Sequence, residues 1–350
     1  MVAEFTGSGS RFVPYNSYKR SPKCRIEHYT VRTTCSEMYS IVLPLFLVGR
    51  MLTNQNVLKY GPEYTYQVDI GMVAEMIRGD TPEYFGSNLI AKLKCRPKGS
   101  DSLSCHTQDS KMAEVSPRAF DISETSRTLG ASYYNYHMSH EPFEVKFDNA
   151  GIESIVVQKS ISAWDLDIIR LIINQLNFGT DLKGRPNGTF SAIENFTIGE
   201  CAVAFKVDHQ RLSAQDLQKG ASFELAVLPN FDKSTGTSIQ LKKFRDLSKC
   251  FQHAEYLFGF SSTYGIVPHS VIHEITSSVS NVFVSNRSFT SETVNEFDVF
   301  DVVHKERGRL TDRVRLTLLT MEPAKGSTPR IFEPVHVGVI MNRPVNSSDC

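Results

Sequence analysis

The chain has 350 residues, 41% of them apolar, enough for one large domain or two small ones with a real core. Its 38 lysines and arginines equal its 38 aspartates and glutamates, which argues against bulk electrostatic binding to nucleic acid or membrane and leaves only local patches for such a role. The seven cysteines include no CxxC pair, so zinc-ribbon and thioredoxin-like readings fail, and disulfides or plain buried thiols remain.

Residues 1–37 are polar and aperiodic and read as a disordered extension. Ile41 to Val48 is an unbroken apolar run three residues after Met38. It is too short to span a bilayer, which takes about 20 residues. It has the length of a signal-peptide core, so 38–52 is expected to be a signal peptide, with a buried strand as the alternative. Structure is expected to begin near Tyr60. Tyr64, Tyr66, Val68 and Ile70 alternate with Thr65, Gln67 and Asp69, the period of a half-buried strand. Leu89 to Cys95 alternates in the same way. Arg96 to Ser126 reads as long loops with one weak strand, and Cys95 and Cys105 flank a turn-rich segment that a hairpin disulfide could close. Phe143–Phe147 and Ile152–Val157 form a hairpin about the turn residues Asp148 to Gly151.

One helix interrupts this pattern. Ser162 and Asp165 make a candidate capping box, and Gly179 is a stop signal. Between them Trp164, Leu166, Ile168, Ile169, Leu171, Ile172, Ile173 and Leu176 cover roughly 220° of a helical wheel, against about 100° for a surface helix. Asp167, Arg170, Asn174 and Asn177 share a narrow polar strip. Such a helix must be enclosed, with Trp164, Ile168, Leu171 and Ile172 at the core. Further strands are expected at Ala202–Val207, Phe223–Val227, Ser238–Lys243, Val282–Ser285 and Val314–Leu319. The fold expected is mainly β, an antiparallel barrel around one long central helix.

Few residues point to chemistry. Gly259-Phe-Ser-Ser-Thr lacks the second glycine of a nucleophile elbow. His269, His273 and Glu274 could hold a metal for a hydrolase, but the glutamate follows the second histidine, unlike the zincin order; His137 and His140 are a looser pair. Satisfied or exposed histidines are the default, so neither enzyme nor metal is expected. No phosphate loop or dinucleotide fingerprint occurs. Cys201 and Cys250 each flank a strand-like segment, as a disulfide or as free buried thiols. Asn187, Asn195, Asn286 and Asn346 begin N-x-S/T sequons, which a secreted chain could glycosylate on surface loops. Lys242, Lys243, Arg245 and Lys249 form the densest basic and apolar mix. They read either as a docking patch for an acidic partner or as a solvated strand edge.

The stretch His140-Glu-Pro-Phe-Glu-Val-Lys-Phe147 to Val157, followed by Ser162-Ala-Trp-Asp-Leu-Asp-Ile-Ile-Arg170, resembles the amino-terminal lipoprotein domain of vitellogenins, insect yolk precursors in particular, within the large lipid transfer protein family. Asp167 stands where asparagine is commoner. The resemblance runs from about residue 60 to 325, which leaves 326–350 as a linker or truncated end. It implies a β-barrel around a central helix, with Cys201 and Cys250 as the two half-cystines of a barrel disulfide. It further implies a secreted, extracellular protein of lipid transport or yolk storage, with lipid as the family's cargo and no cofactor. Recognition by a receptor of the low-density-lipoprotein receptor type would fall to the barrel, and lipid would be held by downstream domains. A clotting or immune role within the same group is the alternative.

Overall fold

The computed structural model describes residues 47–51, 60–78, 81–99, 101–114, 132–148, 151–180, 182, 185–211, 223–227, 237–253, 271–303 and 305–341. The extension 1–37, most of the apolar run 41–48, His269 and Asn346 lie outside them. Leu47–Met51 forms strand β1, so the end of that apolar run is strand. β2 (Pro62–Arg78), β3 (Thr81–Pro97), β4 (Ser102–Glu114) and the two-residue β5 (Tyr134–Asn135) follow, then the hairpin β6 (Phe143–Asp148) and β7 (Gly151–Gln158). Helix α1 (Ala163–Asn174) leads to β8 (Gly188–Phe196), β9 (Gly199–Arg211), β10 (Phe223–Val227), β11 (Thr237–His253), β12 (Val271–Ser285), β13 (Ser288–Asp301), β14 (Glu306–Pro323) and β15 (Pro334–Val337).

The strands run longer than single apolar stretches in the sequence. In β2 the inward set continues past Ile70 through Met72 and Ala74, all buried. In β12 and β13 the inward phase is carried by Ser278, Ser280, Ser291, Thr293 and Asn295, which hydropathy alone passes over.

Thirteen strands make one antiparallel sheet in the order β15-β7-β6-β4-β3-β2-β14-β13-β12-β11-β9-β8, with β5 beside β4; β1 and β10 pair separately. The inward residues of the sheet and the helix form a single core. From Ile168 to Asn177 every helical and post-helical residue is buried, including Arg170, Asn174, Gln175 and Asn177.

The sheet does not close into the expected barrel. Among the described residues, β15 and β8 are its two edges and share no ladder. Two residues of the helix's polar strip bond to chain at and beyond the two edge strands. Arg170 Nε donates to the Gly338 carbonyl at 3.0 Å, and Asn177 Nδ2 donates to the Asn195 carbonyl of β8 at 2.7 Å. The segment after β15 then crosses to the β8–β9 turn, where the Met341 amide donates to the Thr197 carbonyl at 2.9 Å. Residues 326–341, part of the stretch expected as a linker or truncated end, pack against the sheet and the β8–β9 turn. Arg96 holds the Gly326 carbonyl, and Val339 and Met341 are buried.

The helix starts as its sequence dictates. The Ser162 hydroxyl accepts from the Asp165 amide at 3.0 Å and donates to the Asp165 carboxylate at 2.8 Å. Its end tightens into i→i+3 bonds through Asn177, and Gly179 turns the chain at φ +69°.

Candidate functional site

The basic run expected to form one patch is split by the period-two geometry of β11. Lys243 and Arg245 point inward, with side chains 2% and 0% exposed, beside the equally buried Glu194 of β8. Lys243 Nζ donates to the Glu194 carboxylate and, at 2.7 Å, to the Asn177 carbonyl at the helix end. The Arg245 guanidinium lies 3.1 Å from the other Glu194 oxygen and 4.3 Å over the Phe196 ring. Lys243 and Arg245 are thus removed from any receptor surface. Their charges are needed inside, because an unpaired buried carboxylate is strongly disfavoured.

This triad opens a polar network within the core. Arg245 donates to Ser278 and Ser280; Ser278 donates to Asn295, and Asn295 donates to Asp312 at 2.8 Å. Ser291 and Thr293 donate to Gln175 of the helix, which explains the residue that interrupts the apolar arc. Burial by itself raises the Glu194 carboxyl, but Arg245 and Lys243 outweigh it and hold it below the usual carboxylate range. Burial pulls the Lys243 ammonium down to about 8, against the pull of Glu194. Among the described residues no cation pairs with Asp312, and burial pushes its carboxyl up to about 7.

Lys242 and Phe244 face outward from β11. Lys242 stands directly opposite Lys206 of β9, and Lys206 opposite Thr189 of β8. Two like charges facing each other across a ladder repel. Phe244 and Ile193 are 45% and 46% exposed on the same outer face. Lys249 is exposed too, but pairs with Asp246 at 2.8 Å. The outer face therefore keeps Lys242 and Lys249 of the expected patch and adds Lys206, which no basic run in the sequence contains. Its signal is strand phase: Val203, Phe205 and Val207 point in, so Lys206 points out.

Cys95 is bonded to Cys105 and Cys201 to Cys250, and each pair lies directly opposite across its ladder. Trp164 is half-buried, and its indole N–H donates to the Tyr136 hydroxyl; Ile168, Leu171 and Ile172 are in the core. Asn187 and Asn195 are exposed, whereas Asn286 is only 6% exposed in the β12–β13 turn, where its carbonyl accepts the Leu225 amide at 2.6 Å. His273 and Glu274 are consecutive in β12 and so face opposite sides, His273 edge-on to Phe297. His269, the third member of the expected grouping, lies outside the described residues. His140 Nδ1 is 2.9 Å from the Thr107 carbonyl and, with His106 and His137, lines an 880 Å³ groove. Among the described residues, no three His, Cys, Asp or Glu side chains converge as a metal site would need.

Residues 58–326 match the family model described as the vitellogenin N-terminal domain. The chain is 23% identical over 328 residues to a vitellogenin of Anthonomus grandis, covering 86% of this chain and 18% of that protein. It is 22% identical to vitellogenin-1 of Solenopsis invicta, covering 74% of this chain and 16% of the relative, and 22% identical to vitellogenin-A1 of Aedes aegypti, covering 75% and 13%. It thus spans less than a fifth of the length of these relatives. Among solved structures, a lipovitellin described for its lipid–protein interactions superimposes with a TM-score of 0.54 at 15% identity, over 83% of this chain and 28% of that one, which is a likeness of fold. The chain belongs to the vitellogenin N-terminal domain family, a family of lipid transport proteins.

Proposed function

We propose that this domain serves a secreted, yolk-type lipid carrier as its docking module, binding an acidic receptor module of the low-density-lipoprotein receptor type through the outer face of β9 and β11. The observation that carries this reading is the direct opposition of Lys206 and Lys242, with Phe244 and Ile193 exposed beside them. Two lysines held together at a cost in repulsion offer an acidic partner a paired site, and neighbouring apolar surface adds contact area. Two disulfides suit an extracellular setting. Lipid contact is assigned to regions outside this domain, since the helix occupies the interior of the sheet.

The test is binding of the purified chain to an acidic receptor module at several salt concentrations. Lys206→Glu with Lys242→Glu is expected to weaken binding at least tenfold and to flatten its salt dependence. Lys249→Gln is expected to change it little, because that charge is already engaged. Unchanged affinity and salt slope in the double variant would remove the assignment to this face.

A further inference from the structure

A groove of 880 Å³ lies on the outer face of β2, β3 and β4, and β14, β13 and β12 separate these strands from Lys206 and Lys242. One wall is the segment 134–140, tied along the β4 edge. The Tyr136 amide donates to the Ser110 carbonyl at 3.0 Å, and the Thr107 hydroxyl donates to the Ser139 carbonyl at 2.6 Å. Strand phase sets Lys92 outward between Gln67 of β2 and Gln108 of β4, and sets Lys111 opposite Ile90. His106 stands opposite Lys94 on the same face, and His137 and His140 line the groove from the tied segment.

This lining is rich in cations and poor in acids. Asp109 is its one acid among the described residues, and it is already engaged. It sits at φ +54° where the β3–β4 register shifts, and its carboxylate meets Lys92 at 2.8 Å. Two lysines against one aspartate give the lining a net charge of +1 with neutral histidines, and three charged histidines raise it to +4. Histidine is the side chain that gains its charge between about pH 8 and 5. His140 Nδ1 donates to the Thr107 carbonyl at 2.9 Å, since a carbonyl only accepts, and Nε2 is left for a ligand. Burial pulls the His106 imidazolium down, Glu63 of β2 opposes that pull, and Lys94, Arg96 and His140 add to it. Glu63 is itself held by Lys94 at 3.2 Å and by Arg96, so it does not answer the charges that the histidines gain.

We propose that this groove binds a multiply charged oxyanion, the chemistry shared by polyphosphates and sulfate esters, and binds it far more tightly in acid than at neutral pH. Lysines and protonated histidines gathered around one groove repel each other, and an anion seated among them relieves that repulsion. The groove has the volume of a small-molecule site, more than one phosphate needs, so a ligand with several anionic groups fills it. Reciprocity fixes the sign. The anion favours charged histidines, so its binding takes up protons and acid strengthens its binding. Nothing here depends on receptor docking.

The test titrates the full chain by calorimetry with tripolyphosphate and, separately, with sucrose octasulfate, at pH 5.5 and 7.5. Affinity for at least one probe is expected to be at least about tenfold higher at pH 5.5, with net proton uptake at pH 6.5. A phosphate monoester loses charge below about pH 6 and a sulfate does not. A larger acid gain with the sulfated probe therefore names sulfate as the natural group, and a gain confined to tripolyphosphate names phosphate. His106→Gln with His140→Gln keeps hydrogen-bonding side chains and is expected to abolish the acid gain. Lys111→Gln, on an exposed side chain, is expected to weaken binding several-fold at both pH values, and keeps the test readable if the histidine variant does not fold. Lys206→Glu with Lys242→Glu is expected to leave binding intact, which separates this site from the docking face. No binding of either probe at pH 5.5, equal affinity at the two pH values, or loss of binding in the Lys206 and Lys242 variant alone overturns the proposal.

Discussion

Lys242 and Lys243 are neighbours in sequence and stand on opposite faces of the same strand, one in solvent facing Lys206 and the other sealed against Glu194 and the Asn177 carbonyl. Strand pleat alone makes this separation, and it divides one basic run into a structural half and a binding half.

The structural half has a measurable weight. Glu194→Gln leaves Lys243 and Arg245 buried without a counter-charge, the situation in which breaking a buried pair costs about 3–5 kcal/mol. Lys242→Gln, on the exposed face, is expected to stay within about 0.5 kcal/mol of the parent. Denaturant unfolding of the two variants checks the contrast. Equal midpoints would mean that the triad does not hold β8 to β11.

Asp312 gives the stability a pH dependence of definite sign. Its carboxyl titrates near 7 when folded, raised by burial from 3.8, so the folded state holds the proton over a window in which the unfolded chain has released it. Stability from this group is fully present below about pH 4 and is lost as pH rises through 7, with a slope of up to about 1.4 kcal/mol per pH unit. Asp312→Asn keeps a side chain of the same shape that can accept from Asn295 and removes the slope. Melting temperatures of parent and variant from pH 4 to 8 compare the two. Parallel curves would contradict the assignment.

Much of the fold was legible from periodicity, and the limits have physical causes. The strict alternation at Tyr64–Ile70 and the wide apolar arc of the helix are legible because both report burial directly. The open seam was not legible, because its closure depends on which groups meet Arg170 and Asn177, and those come from Gly338 and Asn195 far along the chain. The Lys206–Lys242 opposition was hidden for another reason. Counting back along the ladder from Cys201–Cys250 would set Lys206 against Arg245. Irregular register between Asp246 and Cys250 shifts the pairing by three residues, to Lys242. A bulge of that kind leaves no mark in hydropathy. Glu194 was missed because one inward acid among Phe190, Ala192 and Phe196 is a break in a pattern, and its partners lie on another strand.

The two disulfides are expected to differ in weight. The bridges join residues separated by 49 and 10 positions, Cys201–Cys250 and Cys95–Cys105 respectively. In the chain-entropy model these closures restrict the unfolded chain by about 4 and about 3 kcal/mol. Cys201→Ala with Cys250→Ala should therefore lower stability more than Cys95→Ala with Cys105→Ala, by about 1 kcal/mol. Unfolding free energies of the two double variants decide the order, and a reversed order would show that packing around the half-cystines outweighs loop closure.

The seam yields the last expectation. Arg170 is 5% exposed and bridges two elements, donating to Asp167 and to the Gly338 carbonyl, both at 3.0 Å. Burial raises the Asp167 carboxyl, and Arg170 pulls it back down. Arg170→Met retains most of the apolar stem but withdraws both donations, a loss of about 2–3 kcal/mol for a charged buried donor. The effect should be local before it is global, because the segment from Gly338 to Met341 is tied across the seam by few bonds. Hydrogen exchange in a peptide covering 334–341 should quicken at least tenfold in Arg170→Met while the β2–β3 ladder keeps its protection. Arg170→Lys should fall between the two, since an ammonium restores the charge but not the planar fork that reaches both partners. Unchanged exchange at Met341 in both variants would show that the strap is held by Val339 and Met341 packing alone.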